Sequence, residues 1–284
     1  MRVECMGLWA KGAILAGALA ALLVAVEAPA LDLKSVGRSV DVDEVVDTAL
    51  EVYEAFHVDA ETEARLGREV AAYLIARCGL YADEALTRYV GLVGMAVARK
   101  AERRDVRYRF GVLDTDAVGA FAAPGGYVFV TRGLLSRLRN EAQLAGVLAH
   151  EIAHVDRKHA VEALGKTKIM RLGAEKARSN VKRGEVFDRA SGFLVGLADK
   201  GFSREDELDA DAAGAPLAGA SGYDGSGLYW ALKQLYGTGE GTSNRAFLKR
   251  HPPLSDRLGR LEGSPGHRAK GAVLKGRFLS SVSF

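Results

Sequence analysis

Leu144-Ala145-Gly146-Val147-Leu148-Ala149-His150-Glu151-Ile152-Ala153-His154-Val155 is the segment from which the architecture follows. Its residues Leu144, Val147, Leu148, Ile152 and Val155 recur every three or four positions, the spacing of the buried side of a regular helix. Two histidines four apart on such a helix project from one side. Their Cβ atoms lie about 5–6 Å apart, so both rings reach one ion. Glu151 is rotated away from that pair and addresses water beside the ion rather than the ion itself. Zinc lowers the pKa of its water to about 7, and a neighbouring carboxylate can take the proton and hand it to a leaving amine.

Catalytic zinc needs a third protein ligand and an open position. His159 does not complete an extended motif, because Arg157 and Ala160 stand where glycine and histidine would be required. Taken as part of a continuing helix it points off the metal side, which makes it a residue behind the ligands or on the surface. Glu162 is too close in sequence to fold back, and Glu175 and Glu185 sit in a basic, polar stretch. The cluster Glu205-Asp206-Glu207-Leu208-Asp209-Ala210-Asp211 is better placed, on a helix followed by alanines. Within it Glu207 and Asp211 are four apart and share a face, so one can ligate while the other orients a ligand histidine. A solvated acidic helix start, favoured by the helix dipole, is the alternative for this cluster.

Outward from this centre the pattern is mostly helical. Val42, Val45, Val46, Ala49 and Leu50 mark one helical face; Leu66, Val70, Tyr73 and Leu74 mark a second. Tyr89, Leu92, Val93, Ala96 and Val97 mark a third. Val106 to Leu113 alternates as a strand does, and Tyr127-Val128-Phe129-Val130-Thr131 is a second β-rich run behind the turn signal Pro124-Gly125-Gly126. Helix is expected again from Leu134 to Ala163, through Glu205–Leu217, between Gly225 and Tyr236, and after Pro252-Pro253. The basic run Lys166–Lys182 reads as a solvated helix or a loop, and Gly237–Ser243 as a linker. No repeat of 20 to 50 residues is present.

The composition is that of a globular protein: 284 residues, 48% hydrophobic and 26% charged. A net charge of +3 supplies no field for steering nucleic acid. Cys5 and Cys78 are the only cysteines, which excludes a disulfide framework. Residues 1–30 read as a signal peptide: Arg2 and Lys11, then an uncharged run from Gly12 to Val26, then Ala28-Pro29-Ala30, a small-x-small site cut after Ala30. The apolar run is shorter than the roughly 20 residues that span a bilayer, though an uncleaved anchor and membrane association through it are the alternative. Export to a bacterial periplasm or envelope follows. Residues 31–265 are expected to form one domain and 266–284 a basic tail.

Four blocks occur in order: Ala120-Phe121-Ala122-Ala123-Pro124-Gly125-Gly126 with Thr131-Arg132-Gly133-Leu134-Leu135; His150 to His159; Ser203-Arg204 with Glu207 through Asp211; and His251-Pro252-Pro253 with Arg257. With the helices around Gly67 to Arg99, they resemble peptidase family M48, zinc metallopeptidases, over residues 60–262. The resemblance implies an α+β, mostly helical, zincin-like domain with a small sheet whose edge strand faces the active-site helix. It also implies one zinc per chain, with His150, His154 and Glu207 as ligands. Glu151 would be the general base, Asp211 the support of the ligand helix, and His251 a transition-state stabiliser or blocking ligand near the metal. An extended or unfolded polypeptide would pair with the Phe121–Val130 segment and meet Phe121, Ala122, Gly125, Gly126 and Arg257. Gly119 stands where the family usually has Asn, and Asp209 where it usually has Glu. The implied function is a metalloendopeptidase of envelope protein quality control. A chaperone-like or structural zinc-binding protein of the same fold is the alternative, against which the intact Glu151 counts.

Overall fold

A computed structural model of the chain describes residues 58–175, 183–237 and 254–282. The expected signal peptide, the helical face at 42–50, most of the 237–243 linker, His251 and Pro252-Pro253 lie outside the described residues.

The first two described helices are set by their caps. Helix α1 (Ala60–Cys78) starts at Asp59, whose side chain accepts from the Thr62 N–H at 2.6 Å. Helix α2 (Glu84–Ala98) starts at Asp83, which accepts from the Leu86 N–H. Strands β1 (Arg109–Leu113), β2 (Ala120–Ala123) and β3 (Tyr127–Thr131) follow, in sheet order β1-β3-β2. β1 runs parallel and β2 antiparallel to β3. The segment expected as one edge strand is thus two strands, with β3 in the middle and β2 at the edge.

Alternation along the strands buries both faces of the sheet. Val112, Val128 and Val130 turn toward Leu86, Val90 and the central helix, whereas Leu113, Phe129 and Ala123 turn toward Leu66, Val70 and Leu74 of α1. The tight link between β2 and β3 needs Gly125 at φ +67°, a left-handed conformation; a Cβ there would also stand 2.6 Å from the Ala64 backbone.

The helix expected from Leu134 to Ala163 is three helices: α3 (Arg132–Leu135), α4 (Glu141–Asp156) and α5 (His159–Glu175). Asn140 caps α4 by accepting from the Gln143 N–H at 2.9 Å. At the other end Lys158, at φ +56°, breaks the backbone before His159. Every residue of α4 from Glu141 to Val155 is buried, so α4 is the axis of the fold. Removing a core side chain such as Leu148, fully buried, costs about 2–5 kcal/mol.

Two carboxylates, Glu141 buried and Asp156 half-buried, fix α4 at its ends. Glu141 accepts from Tyr89 Oη at 2.9 Å, Tyr223 Oη at 2.8 Å and Arg277 Nε at 2.6 Å. Burial works against its charge, but these donors outweigh that and hold its pKa below the ordinary glutamate value. At the C-terminal end Asp156 accepts from the backbone N–H groups of Glu102 and Arg103 at 2.9 and 2.8 Å. Arg103 in turn forks onto buried Glu63 at 2.8 and 2.9 Å.

After α6 (Arg183–Lys200), α7 (Arg204–Ala220) begins with a capping box between Ser203 and Asp206 and crosses α4 closely. Gly214 permits the crossing, since a Cβ there would be 2.9 Å from the His150 backbone nitrogen. Helices α8 (Gly227–Gly237) and α9 (Leu254–Gly263) pack behind, and α10 (Lys275–Ser281) closes the described chain. Residues 266–282, read from composition as a basic tail, are docked: Phe278 is in the core and Arg277 reaches Glu141.

Candidate metal centre

The i, i+4 spacing on α4 and the close crossing of α7 bring three buried side chains to one point. His150 Nε2 and His154 Nε2 are 3.2 Å apart. Glu207 Oε2 is 3.5 Å from His150 Nε2, and Glu207 Oε1 is 3.7 Å from His154 Nε2. Donors about 2.0–2.1 Å from a tetrahedral zinc are separated by roughly 3.3–3.4 Å, so the spacing of the three side chains suits such an ion. Charge points the same way. Among the described residues, Glu207 and Asp211, both 1% exposed, face one buried guanidinium, Arg257, and two buried carboxylates around one guanidinium favour a further cation. Burial disfavours a proton on His150, yet its contacts with Asp211 and Glu207 prevail and raise its pKa to about 9. A cation would take that proton's place.

Each of the two histidines is held from behind. His150 Nδ1 lies 3.0 Å from Asp211 Oδ1, the orienting contact expected of Asp211. Arg257 donates to Asp211 through Nε at 2.7 Å and Nη2 at 2.6 Å. Burial opposes the charge of Asp211, but Arg257 and His150 keep its pKa low. Arg257, expected at the substrate, is 1% exposed and belongs to the support of the ligands; a guanidinium committed to a buried carboxylate has no free edge for a substrate.

His154 is backed by His159, in the first of the two places expected of it, and through it by Asp209. Its Nδ1 is 2.9 Å from His159 Nδ1, and His159 Nε2 is 3.2 Å from Asp209 Oδ2. With Nε2 of His154 turned to an ion, its Nδ1–H donates to His159, and the His159 Nε2–H donates to Asp209. Burial lowers the pKa of His159, in keeping with a neutral ring in this chain of bonds. Phe202 stacks on His154 with centroids 4.1 Å apart and planes at 15°. The break at Lys158 is the signal that would have revealed His159, because a restarted helix turns the ring back.

Glu151, 5% exposed, borders a cavity of about 30 Å³ together with His154, Glu207, Phe202 and residues 120–122 of β2. That is room for water and not for a side chain. Phe121 and Ala122 line this cavity with Glu151, His154 and Glu207. Gly125 and Gly126 do not: both are buried in the turn beyond β2, where the Gly125 N–H donates to Glu63 Oε1 at 3.0 Å. His251 lies outside the described residues.

A helix presenting two histidines and a glutamate, completed by a carboxylate from a crossing helix, is a metallopeptidase type of centre. The comparison with known families agrees: residues 84–264 match the model of "Peptidase family M48", and the chain belongs to this family of metallopeptidases. It is 27% identical over 183 residues to the "Beta-barrel assembly-enhancing protease" of Escherichia coli (strain K12), covering 61% of this chain and 37% of that protein. It is 29% identical over 187 residues to the "Mitochondrial metalloendopeptidase OMA1" of Schizosaccharomyces pombe, covering 64% of this chain and 52% of that protein. A "Protease HtpX homolog" of Methylacidiphilum infernorum is 28% identical over 217 residues, covering 60% of this chain and 70% of that protein. The chain thus spans between about a third and a half of the first two relatives. Among the described residues no helix is long and apolar enough to cross a membrane.

Proposed function

We propose that this chain is a zinc-dependent endopeptidase acting on extended or unfolded polypeptides, exported and working in envelope protein quality control. The observation that carries the reading is the convergence of His150, His154 and Glu207 beside a water-sized cavity bordered by Glu151. His150, His154 and Glu207 would hold the zinc, which would supply Lewis-acid chemistry for a carbonyl oxygen and for water. Glu151 takes the proton of the attacking water and returns it to the leaving amine. Asp211, steadied by Arg257, keeps the His150 ring in its ligating orientation, and His159 does the same for His154. His251 either stabilises the oxyanion or caps the resting ion, and His251→Ala separates the two: turnover falls about 10²–10³-fold in the first case and rises in the second.

The edge strand supports a mode of substrate binding. The Thr131 N–H donates to the Gly119 carbonyl at 3.0 Å, and antiparallel pairing alternates from there. Phe121 and Ala123 then spend their backbone groups on β3, while those of Ala120 and Ala122 face outward, where an extended peptide adds as a further strand. Export rests on the leader and predicts a mature chain starting at Leu31 in the envelope fraction; an intact Met1 on membrane-bound protein would mean an anchor instead. The proteolytic reading is tested by cleavage of an unfolded substrate such as casein by the zinc-loaded chain and its Glu151→Gln variant.

A further inference from the structure

Phe121 borders a second cavity besides that of the metal centre. This one, about 670 Å³, opens on the other side of β2, between the end of α1, the loop at 114–118 and the end of α6. Its floor is Leu74 and Val118, both buried, with Cys78 and the Phe121 ring as walls. Most charges at its mouth are matched: Arg77 Nη1 lies 2.5 Å from Asp199 Oδ1, and the lining Asp114 Oδ1 lies 3.1 Å from Arg132 Nε, while Lys200, which also lines it, is exposed and screened by water. An incoming charged side chain therefore gains little there, whereas a large apolar one is removed from water by the floor. Successive side chains of a strand laid along β2 point to opposite faces of the sheet. Those on the α1 face, the side on which Phe121 packs against the Leu74 cluster, meet this cavity.

We infer that this cavity is a specificity subsite, taking a bulky apolar side chain, leucine- or phenylalanine-like, from a polypeptide bound along β2. The inference rests on the reading of β2 as the substrate strand, and names the side chain that strand selects. Pockets for alternate side chains are how strand-addition sites obtain selectivity when the backbone bonds are sequence-blind.

The test uses the full chain with zinc and a set of unstructured peptides that differ at one position at a time, carrying Ala, Leu, Phe, Asp or Lys. Mass spectrometry of the products gives kcat/KM at each position, and anisotropy of labelled peptides on zinc-loaded Glu151→Gln gives binding without cleavage. One position should favour Leu or Phe over Ala by about tenfold or more, with Asp and Lys disfavoured. Two fillers should abolish that preference: Ala117→Trp, and the maleimide adduct of Cys78 formed after folding in a Cys5→Ser chain. A preference that neither filler moves, or one for Asp or Lys, overturns the subsite. If the wild type cleaves none of the peptides, the proteolytic reading fails by itself. The subsite is then decided by anisotropy: tighter binding of Leu and Phe peptides that the fillers remove upholds it, and equal binding of all peptides overturns it.

Discussion

Replacing Arg257 by Leu removes a buried guanidinium that faces two carboxylates, both 1% exposed. The side chain makes two charge-assisted bonds to Asp211, at 2.7 and 2.6 Å, and lies 3.6 Å from Glu207. Breaking a buried pair by removing one partner costs about 3–5 kcal/mol, most of it from the charge left behind. At about 2–4 °C per kcal/mol for a chain of this size, the metal-free variant should melt roughly 6–20 °C below the wild type. Zinc should recover part of the deficit, because a bound cation neutralises the same carboxylates; ligand at a hundredfold over Kd contributes about 2.7 kcal/mol. Arg257→Lys should fall between, keeping the charge and losing the fork. The assay is thermal unfolding of each variant with chelator and with excess zinc, alongside steady-state kinetics. Were Arg257 a substrate contact, the Leu variant would melt with the wild type and raise KM alone, and that result would refute the reasoning.

The other expectations are shorter. Glu207→Ala should abolish stoichiometric zinc, while His159→Ala should weaken it by about 10–100-fold and Asp209→Ala by less; equal affinity in all three, measured by chelator competition, would dismiss the ligand and support assignments. Glu141 has a folded-state pKa below its ordinary value, so its contribution to stability is present above pH about 4.5 and lost as pH falls through the depressed value. Arg277→Ala should therefore shift acid unfolding to higher pH, read by circular dichroism across pH 2–7, and an unmoved midpoint would count against the tie between α10 and α4.

The parts of this protein that local spacing encodes were legible in the sequence. The i, i+4 histidines with apolar positions around them define α4 and the side from which both rings converge with Glu207, and the four-residue spacing of Glu207 and Asp211 marked one helix face. Choosing Glu207 over Asp211 needed either the family resemblance or the crossing of α7 over α4, which sequence periodicity does not contain. Arg257 was misplaced because arginine is rarely fully buried and its partner is distant in the chain. His159 stood open between a place behind the histidine pair and the surface, and the break at Lys158, which spacing does not show, turns its ring to His154. The same limit applies to residues 266–282, whose basic composition concealed Phe278 in the core and Arg277 on Glu141. The run from Phe121 to Val130 showed its β character, but pairing partners and edge position arise from contacts between segments.

The most direct test of the central claim is zinc content and peptide hydrolysis measured together on Glu151→Gln. The substitution removes the proton acceptor beside the cavity and leaves His150, His154 and Glu207 in place. The account predicts about one zinc per chain, as in the wild type, with hydrolysis of unfolded substrate reduced by about 10²–10⁴-fold. A variant that keeps its zinc and cleaves at the wild-type rate, or one that loses zinc together with activity, would contradict it.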